Sequence, residues 1–383
     1  MNKTKVGCSL FALLLFSASF LGAAWTTNRL SYTPGWSGEP DIAIDGSNVY
    51  VVWSDETPGN TEIYFRKSTD GGATWQAAKR LTNNAGESGY PAIAVVYSNI
   101  YVVWGDSTPE DSVMAIYFMR STDGGITWQS AQRLTYTAKV SCFPAIAANY
   151  SKVYLVWWDD TPGNREIYFR NSLDSGVTWQ TAKRLTYNSE VSSAPHIVVS
   201  GPSVYLTWFN AVSGNKEIYF RKSADGGITW KSAKRLTNNA GESYVPVLAV
   251  GGANVYVTWQ DDTPGNKEIY FRRSVDGGAT WQVAQRLTDN SGSSCYPAIS
   301  VYAANVYVAW VDDTSEAREI YFRRSADSSV TWKSAIKITN DAVFDEYMPS
   351  RMASNINKVF VVYFDETPGN YEIYLKYSPV SAL

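Results

Sequence analysis

Three residues that could do chemistry occupy one recurrent position of this chain, which is otherwise apolar. The position follows a proline, and it holds Asp41, His196 and, allowing one inserted residue, Arg351. The four other copies hold Ala or Val. An aspartate and an arginine in register could form a structural salt bridge, or they could bind an anion or sugar hydroxyls. The histidine could be a hydrogen-bonded wall residue or a proton-transfer group.

A second cluster of candidate residues, Asp345-Glu346-Tyr347, precedes Arg351 closely in the chain. Glycoside hydrolysis uses two carboxylates, or a tyrosine activated by a carboxylate, within several ångströms of one another. We therefore take Glu346, Tyr347 and Asp41 as candidate catalytic residues. Arg351, His196, Asp41 and Asp345 are the candidate ligand-binding residues, and the alternative is that the acidic cluster is a solvated loop.

The elements that would position these residues follow from an internal repeat. The segment Ser-x-Asp-x-Gly-x-Thr-Trp begins at Ser68, Ser121, Ser172, Ser223, Ser274 and Ser325. A fixed period of this size indicates an array of equivalent supersecondary units. Each unit contains four short β-type segments separated by turn residues, which predicts the blades of an all-β propeller.

The count of the segments predicts seven blades. The proline of the first strand and the Ile-Tyr pair of the third strand each recur seven times, whereas one copy of the outer Arg-Leu segment, Arg29-Leu30, stands near the N-terminus. We therefore expect an N-terminal outer strand to join the last blade, beside Tyr374, and to close the ring. Trp25 should take the place of the seventh box tryptophan.

The repeated segment resembles the Asp-box, or BNR repeat, of sialidases and many other secreted propellers. This resemblance covers residues 25–383 and implies that the boxes lie in turns between the third and fourth strands, with structural roles. Ser329 replaces the box glycine in the sixth copy, and we expect a strained or altered turn there.

The resemblance says less about activity. A sialidase of this family would have three arginines that grip the substrate carboxylate, a Tyr–Glu nucleophile pair, an aspartate acid/base and an Arg-Ile-Pro motif. The chain has no Arg-Ile-Pro motif, and most of its arginines recur in register. A residue repeated in every blade does not by itself build one asymmetric catalytic centre.

Loops that join the outer strand to the next first strand, and the second strand to the third, should open on the ligand-binding face. Acidic pairs recur in the second-to-third connections, where they could cap turns or form a ring of weak sugar or calcium sites. Two blades depart from this pattern: one has a longer loop at 108–113, and another has Phe209-Asn210 in place of the acidic pair.

Composition limits the partners. The net charge is −3 with no basic block, which argues against a nucleic-acid or membrane partner. With one histidine and dispersed cysteines, no cofactor or metal is expected. Residues 1–24 have two early lysines, an apolar run and small residues, which predicts a cleaved signal peptide and a secreted or envelope location. An uncleaved membrane anchor is the alternative.

Two functional hypotheses follow, with a third, purely structural role in an envelope assembly still open. The favoured one is a monomeric binding or scaffold module for glycans or extracellular proteins. The other is a sialidase-like glycoside hydrolase with its site at the channel mouth.

Overall fold

The computed structural model describes residues 25–107, 113–212, 214–314, 317–340, 350–367 and 369–383. Its strands form seven antiparallel sheets of four strands each. Each first strand contacts the first strands of the two neighbouring sheets, so the sheets surround a central channel as blades. The predicted seven-bladed, all-β propeller is therefore confirmed.

In each blade the four strands are arranged in order from the channel to the rim. The first strands are Ser37–Asp45, Glu87–Val96, Ser141–Asn149, Ser192–Ser200, Ser243–Gly251, Ser294–Tyr302 and Arg351–Ser354. The second strands are Asn48–Asp55, Asn99–Ser107, Lys152–Asp159, Ser203–Val212, Asn254–Asp261, Asn305–Asp312 and Lys358–Asp365. The third strands are Glu62–Ser68, Ala115–Ser121, Glu166–Ser172, Asn215–Ser223, Glu268–Ser274, Glu319–Ser325 and Glu372–Pro379. The outer strands of blades 1–6 are Lys79–Arg80, Gln132–Arg133, Lys183–Arg184, Lys234–Arg235, Gln285–Arg286 and Ile336–Lys337, and that of blade 7 is Thr26–Arg29.

A short 3-10 helix spans Val380–Ala382. No helix among the described residues is long and apolar enough to cross a membrane. The predicted signal peptide lies outside the described residues.

The first strands begin earlier than the sequence predicted. In blades 1–6 they start three or four residues before the proline, and the pairing with the second strand shifts across it. Proline has no N–H to donate to the ladder, and the residue before it adopts a positive φ of 51–55°. This kink forms a β-bulge in each of these six strands.

The second strands form the core because neighbouring blades cover both of their faces. Their side chains are almost continuously buried, as in Asn48–Asp55. Blades also interlock through aromatic rings: Phe65 of blade 1 meets the box residue Trp128 of blade 2 edge to face, with centroids 5.1 Å apart. The same contact recurs around the ring.

The box turns join third to outer strands, as the resemblance implied. In the first box, Asp70 Oδ1 accepts hydrogen bonds from Thr74 N at 2.9 Å and Ser68 Oγ at 2.8 Å. These bonds, with that of the Thr74 hydroxyl, hold the pKa of Asp70 well below its usual range. The turn at Ser329 keeps the conformation of the other boxes, and this residue adopts a strained φ of 70°.

Ring closure also follows the prediction. Residues 26–29 pair with the third strand of blade 7, with Arg29 opposite Tyr374. Arg29 Nη2 lies 2.6 Å from Oε1 of the fully buried Glu372, which repeats the Arg80–Glu62 pair of blade 1 at 2.7 Å. Trp25 packs on Phe322 at 5.1 Å, in the manner of a box tryptophan.

Candidate functional site

The two ends of the blades carry different connections. Box turns lie beside the first-to-second hairpins, since Gly71 N donates to Ser47 O at 2.8 Å. We call this end the box face. The turn between the second and third strands lies beside the loop that enters the same blade from the preceding one, since Glu56 N donates to Trp36 O at 2.8 Å. We call this end the loop face, and it is the end that the sequence singled out for ligand binding.

Strand register places the three candidate residues at one level of the channel wall. Asp41 pairs with Val52, His196 with Thr207 and Arg351 with Val362. Each partner immediately precedes the large aromatic residue of its second strand, so the predicted alignment of Arg351, with one inserted residue, is correct. The residues lie within first strands rather than on the loops.

Asp41, His196 and Arg351 line one cavity of about 290 Å³. The rest of its wall is mainly aliphatic and includes Ile93, Ile146, Leu248, Ile299 and Met352. An apolar cavity with a few convergent polar groups is the usual form of a small-molecule site. The channel is therefore the candidate functional site.

Asp41 and Arg351 form an ion pair between blades 1 and 7. Arg351 Nε lies 3.7 Å from Asp41 Oδ1, and Asp41 Oδ2 accepts a hydrogen bond from Ile93 N at 2.9 Å. Burial raises the pKa of Asp41, and the charge of Arg351 opposes that rise. Within the described residues the side chain of Arg351 makes no hydrogen bond, so the outer nitrogens of its guanidinium group are available to a ligand.

His196 is a neutral residue of the channel wall. Its Nδ1 accepts a long hydrogen bond of 3.5 Å from Leu248 N, which assigns the proton to Nε2. Burial, aided by the positive charge of Arg351, lowers the pKa of His196 to about 3. Asp41 and His196 each bond to the backbone of the next first strand, so both also join neighbouring blades.

Of the three candidate catalytic residues, the structure describes only Asp41. Among the residues described for the cavity wall, Asp41 is the one carboxylate. Asp345, Glu346 and Tyr347 lie outside the described residues. The raised pKa of Asp41 suits a general acid, whereas hydrolysis by two carboxylates needs a second group that the described wall does not contain.

The repeated charged residues have structural partners. One third-strand arginine in each of five blades donates from Nη1 to a leucine carbonyl of the preceding blade, as Arg221 does to Leu185 O at 2.6 Å. Outer-strand basic residues pair with buried glutamates in six of the blades. The first acidic residue of each pair caps a turn, as Asp55 Oδ1 does for Thr57 N at 2.9 Å. The described residues therefore place one arginine, not three, at the channel cavity.

An aromatic stack close to the prolines of blades 2 and 3 was missed by the sequence analysis. Tyr90 stacks on Phe143 with centroids 4.2 Å apart, and Phe143 stacks on Trp158 at 6.2 Å. Glu39 accepts hydrogen bonds from Tyr90 N at 2.6 Å and Ser54 Oγ at 2.7 Å, and burial raises its pKa. The available signal was the residue before each proline, which differs from blade to blade.

Comparison with known proteins agrees with this architecture. The family model of the BNR/Asp-box repeat matches residues 119–130. No curated protein sequence matches the chain significantly. Solved structures with a similar fold include a phage phi92 endosialidase, with a TM-score of 0.56 and 8% identity over 94% of this chain and 69% of that chain.

Two further structures resemble the chain to a similar degree. Trypanosoma rangeli sialidase in complex with sialic acid has a TM-score of 0.51 and 12% identity, covering 93% of this chain and 59% of that one. An α-L-arabinofuranosidase from Fusarium graminearum has a TM-score of 0.51 and 13% identity, covering 77% of this chain and 94% of that one. At these identities the likeness establishes the fold alone, and this chain spans about three fifths of the trypanosomal enzyme.

Proposed function

Since the chain is an Asp-box β-propeller with a sialidase-like fold, we propose that it is a glycan-binding module whose ligand enters the channel. One observation carries this proposal: Asp41, His196 and Arg351 are unlike polar groups that meet at a single cavity whose other wall residues are mainly aliphatic. Arg351 provides donors for a sugar carboxylate or hydroxyl groups, and Asp41 and neutral His196 provide acceptor and donor atoms.

The location of the protein belongs to the same proposal. We infer that residues 1–24 direct export and are removed, which would deliver the propeller to extracellular or envelope glycans as a monomer. Mass determination of the exported protein's N-terminus tests the cleavage, with Trp25 as the expected first residue. A retained apolar segment would instead support an anchor.

A binding experiment with one matched control tests the channel site. The purified protein is applied to an array of acidic and neutral glycans, and the Kd of the best ligand is measured by calorimetry. Arg351→Ala should weaken binding about tenfold to a hundredfold, because a charge-assisted hydrogen bond is lost. Arg273→Ala is the control, since Arg273 bonds to Asn254 Oδ1 at 3.1 Å away from the channel. Equal affinities for Arg351→Ala and the parent would remove the channel from the proposal.

The second candidate function is sialidase-like hydrolysis, which the raised pKa of Asp41 favours. In that case Asp41 would act as the general acid, with Glu346 and Tyr347 as the nucleophilic pair. Turnover of a fluorogenic aryl sialoside that is abolished by Asp41→Asn and by Tyr347→Phe would establish hydrolysis. Saturable binding without turnover would support the binding module.

A further inference from the structure

Blade 4 differs from the other blades at its second-to-third connection. In blades 1, 3, 5 and 7 an aspartate ends the second strand and caps a Thr-Pro-Gly turn, as Asp261 Oδ1 does for Thr263 N at 3.0 Å. In blade 4 the corresponding residue is Asn210, and the second strand continues to Val212, with Ala211 paired to Lys216. The two strands of blade 4 therefore continue to pair at the position where blades 1, 3, 5 and 7 form the capped turn.

This difference removes a tight contact with the incoming loop. In blade 5 the loop residue Gly241 is so close to the turn that an added Cβ would lie 2.4 Å from Thr263 N. Gly35 and Gly292 are equally confined in blades 1 and 6, at 2.6 Å and 2.5 Å. Blade 4 has Glu190 at the equivalent loop position, and blade 3, which keeps the turn, has Lys139 there.

The space left by the turn is a cavity of about 420 Å³ on the loop face. Tyr187, Asn188, Ser189 and Glu190 line it from the incoming loop, and Trp208, Asn210 and Tyr219 line it from blade 4. Its size falls within the range of small-molecule pockets, about 300–1,000 Å³. It is separate from the channel cavity, with which it shares no lining residue.

An unused donor faces this cavity. Asn210 is 4% exposed, and its Oδ1 accepts a hydrogen bond from Trp208 Nε1 at 2.6 Å. In blade 5 the equivalent Asp261 Oδ2 also accepts bonds from Ser243 Oγ and Asn239 Nδ2, at 2.6 Å and 2.8 Å. Within the described residues, the Asn210 amide nitrogen donates to no protein atom. This amide donor lines the cavity and has no protein partner, so it is available to a ligand that supplies an acceptor.

The lining indicates the class of ligand. Tyr187 offers a ring that is 73% exposed, and Arg184 Cζ lies 4.6 Å from its centroid. Amides, a hydroxyl and the Glu190 carboxylate supply donors and acceptors around it. The lining contains the Glu190 carboxylate, and the nearby guanidinium of Arg184 is paired with the buried Glu166 at 2.8 Å, so the pocket suits a neutral sugar better than an anionic one.

We propose that the blade-4 pocket is a second carbohydrate site, which binds a neutral sugar unit and is separate from the channel. The inference rests on the proposed glycan-binding function. Tyr187 stacks on the sugar ring, and the Asn210 amide donates to a hydroxyl oxygen. The site forms where blade 4 has an extended hairpin in place of the capped turn.

The test uses an array of neutral hexose and pentose oligosaccharides, followed by calorimetry with the best one. Tyr187→Ala and Asn210→Asp should each weaken binding at least tenfold. Tyr136→Ala is the matched control: Tyr136 has the same exposed setting, with Arg133 Cζ 5.0 Å from its ring, but blade 3 retains the Asp159 cap on Thr161 N at 2.9 Å. The Tyr136→Ala control should bind within twofold of the parent.

The outcomes separate the two sites. Failure of the parent to bind any neutral oligosaccharide, or equal losses in the Tyr187 and Tyr136 variants, would overturn the second site. Binding that responds to Arg351→Ala alone would retain the channel proposal and refute the blade-4 pocket. Because Tyr187 is largely exposed, its variant is expected to fold, and thermal melting of each variant checks this.

Discussion

The one histidine of the chain provides a decisive test of the channel geometry. His196 should remain neutral from pH 8 to pH 4.5, because burial beside Arg351 lowers its pKa to about 3. In the unfolded chain its pKa returns to the ordinary value of about 6.5. Since the folded pKa is the lower one, the stabilisation is present above pH 6.5 and is lost as the pH falls towards 3.

The size of this effect follows from linkage. At pH 4.5 the unfolded histidine is protonated and the folded one is not, so the free energy of unfolding falls by about 2.5 kcal/mol relative to pH 7.5. The figure changes little for any folded pKa below about 4. Asp41 and Glu39 have raised pKa values, and they act in the opposite direction because the folded state protonates first.

The direct assay is NMR of protein labelled with ¹³C at histidine Cε1 and prepared without a histidine tag. The folded protein has a single resonance of this kind, because the sequence contains one histidine. Its chemical shift should stay constant from pH 8 to pH 4.5. Denaturant titrations at pH 7.5 and pH 4.5 then measure the free-energy difference.

His196→Asn isolates the histidine contribution. Its side-chain oxygen can accept the bond from Leu248 N, and it does not titrate, so the variant should lose the pH-dependent decrease of about 2.5 kcal/mol. All other groups are common to both proteins. A resonance that titrates with a midpoint near pH 6.5 would refute the lowered pKa of His196 in the channel wall.

Two further predictions concern the scaffold. Glu372→Ala should lower the free energy of unfolding by about 3 kcal/mol, because it leaves the arginine of the closing strand without its buried partner; denaturant titration measures this. Glu217→Ala, the matched change inside blade 4, should lose a similar amount, but only the Glu372 variant should expose the N-terminal strand to limited proteolysis. Gly278→Ser should destabilise the protein by about 2 kcal/mol, because its Cβ would lie 2.4 Å from Phe220 at a positive φ. The reciprocal Ser329→Gly should raise the melting temperature by relieving strain worth about 1 kcal/mol, and a decrease would contradict the strained turn.

Much of the fold could be predicted because every blade makes the same contacts. The sevenfold recurrence of the first-strand proline and the third-strand Ile-Tyr pair, together with the displaced Arg29-Leu30 segment, was enough to predict seven blades and their closure. The bulge before each proline was missed, since proline was taken as the start of a strand. Its cause is a backbone conformation, the positive φ of residues such as Glu39, that residue type alone does not indicate.

The sites were harder to predict because they depend on departures from the repeat. Sequence alignment placed Asp41, His196 and Arg351 at one level, and the structure brings them to one cavity. The sequence showed that Asn210 replaces the repeated aspartate, but it did not predict the blade-4 pocket. That pocket arises because the second strand of blade 4 continues where a turn is lost. It lies between this strand and the incoming loop, and the sequence alone does not show how the two segments pack.

The closing strand has a consequence for the way in which the molecule is made. The hydrogen bond from Arg29 to Glu372 spans 343 positions, so the first strand of the propeller to be synthesised waits for the last one before it can pair. During that interval the nascent chain has two open sheet margins. Refolding at high protein concentration would favour exchange of the first strand between two molecules. This exchange preserves each hydrogen bond and produces strand-swapped dimers.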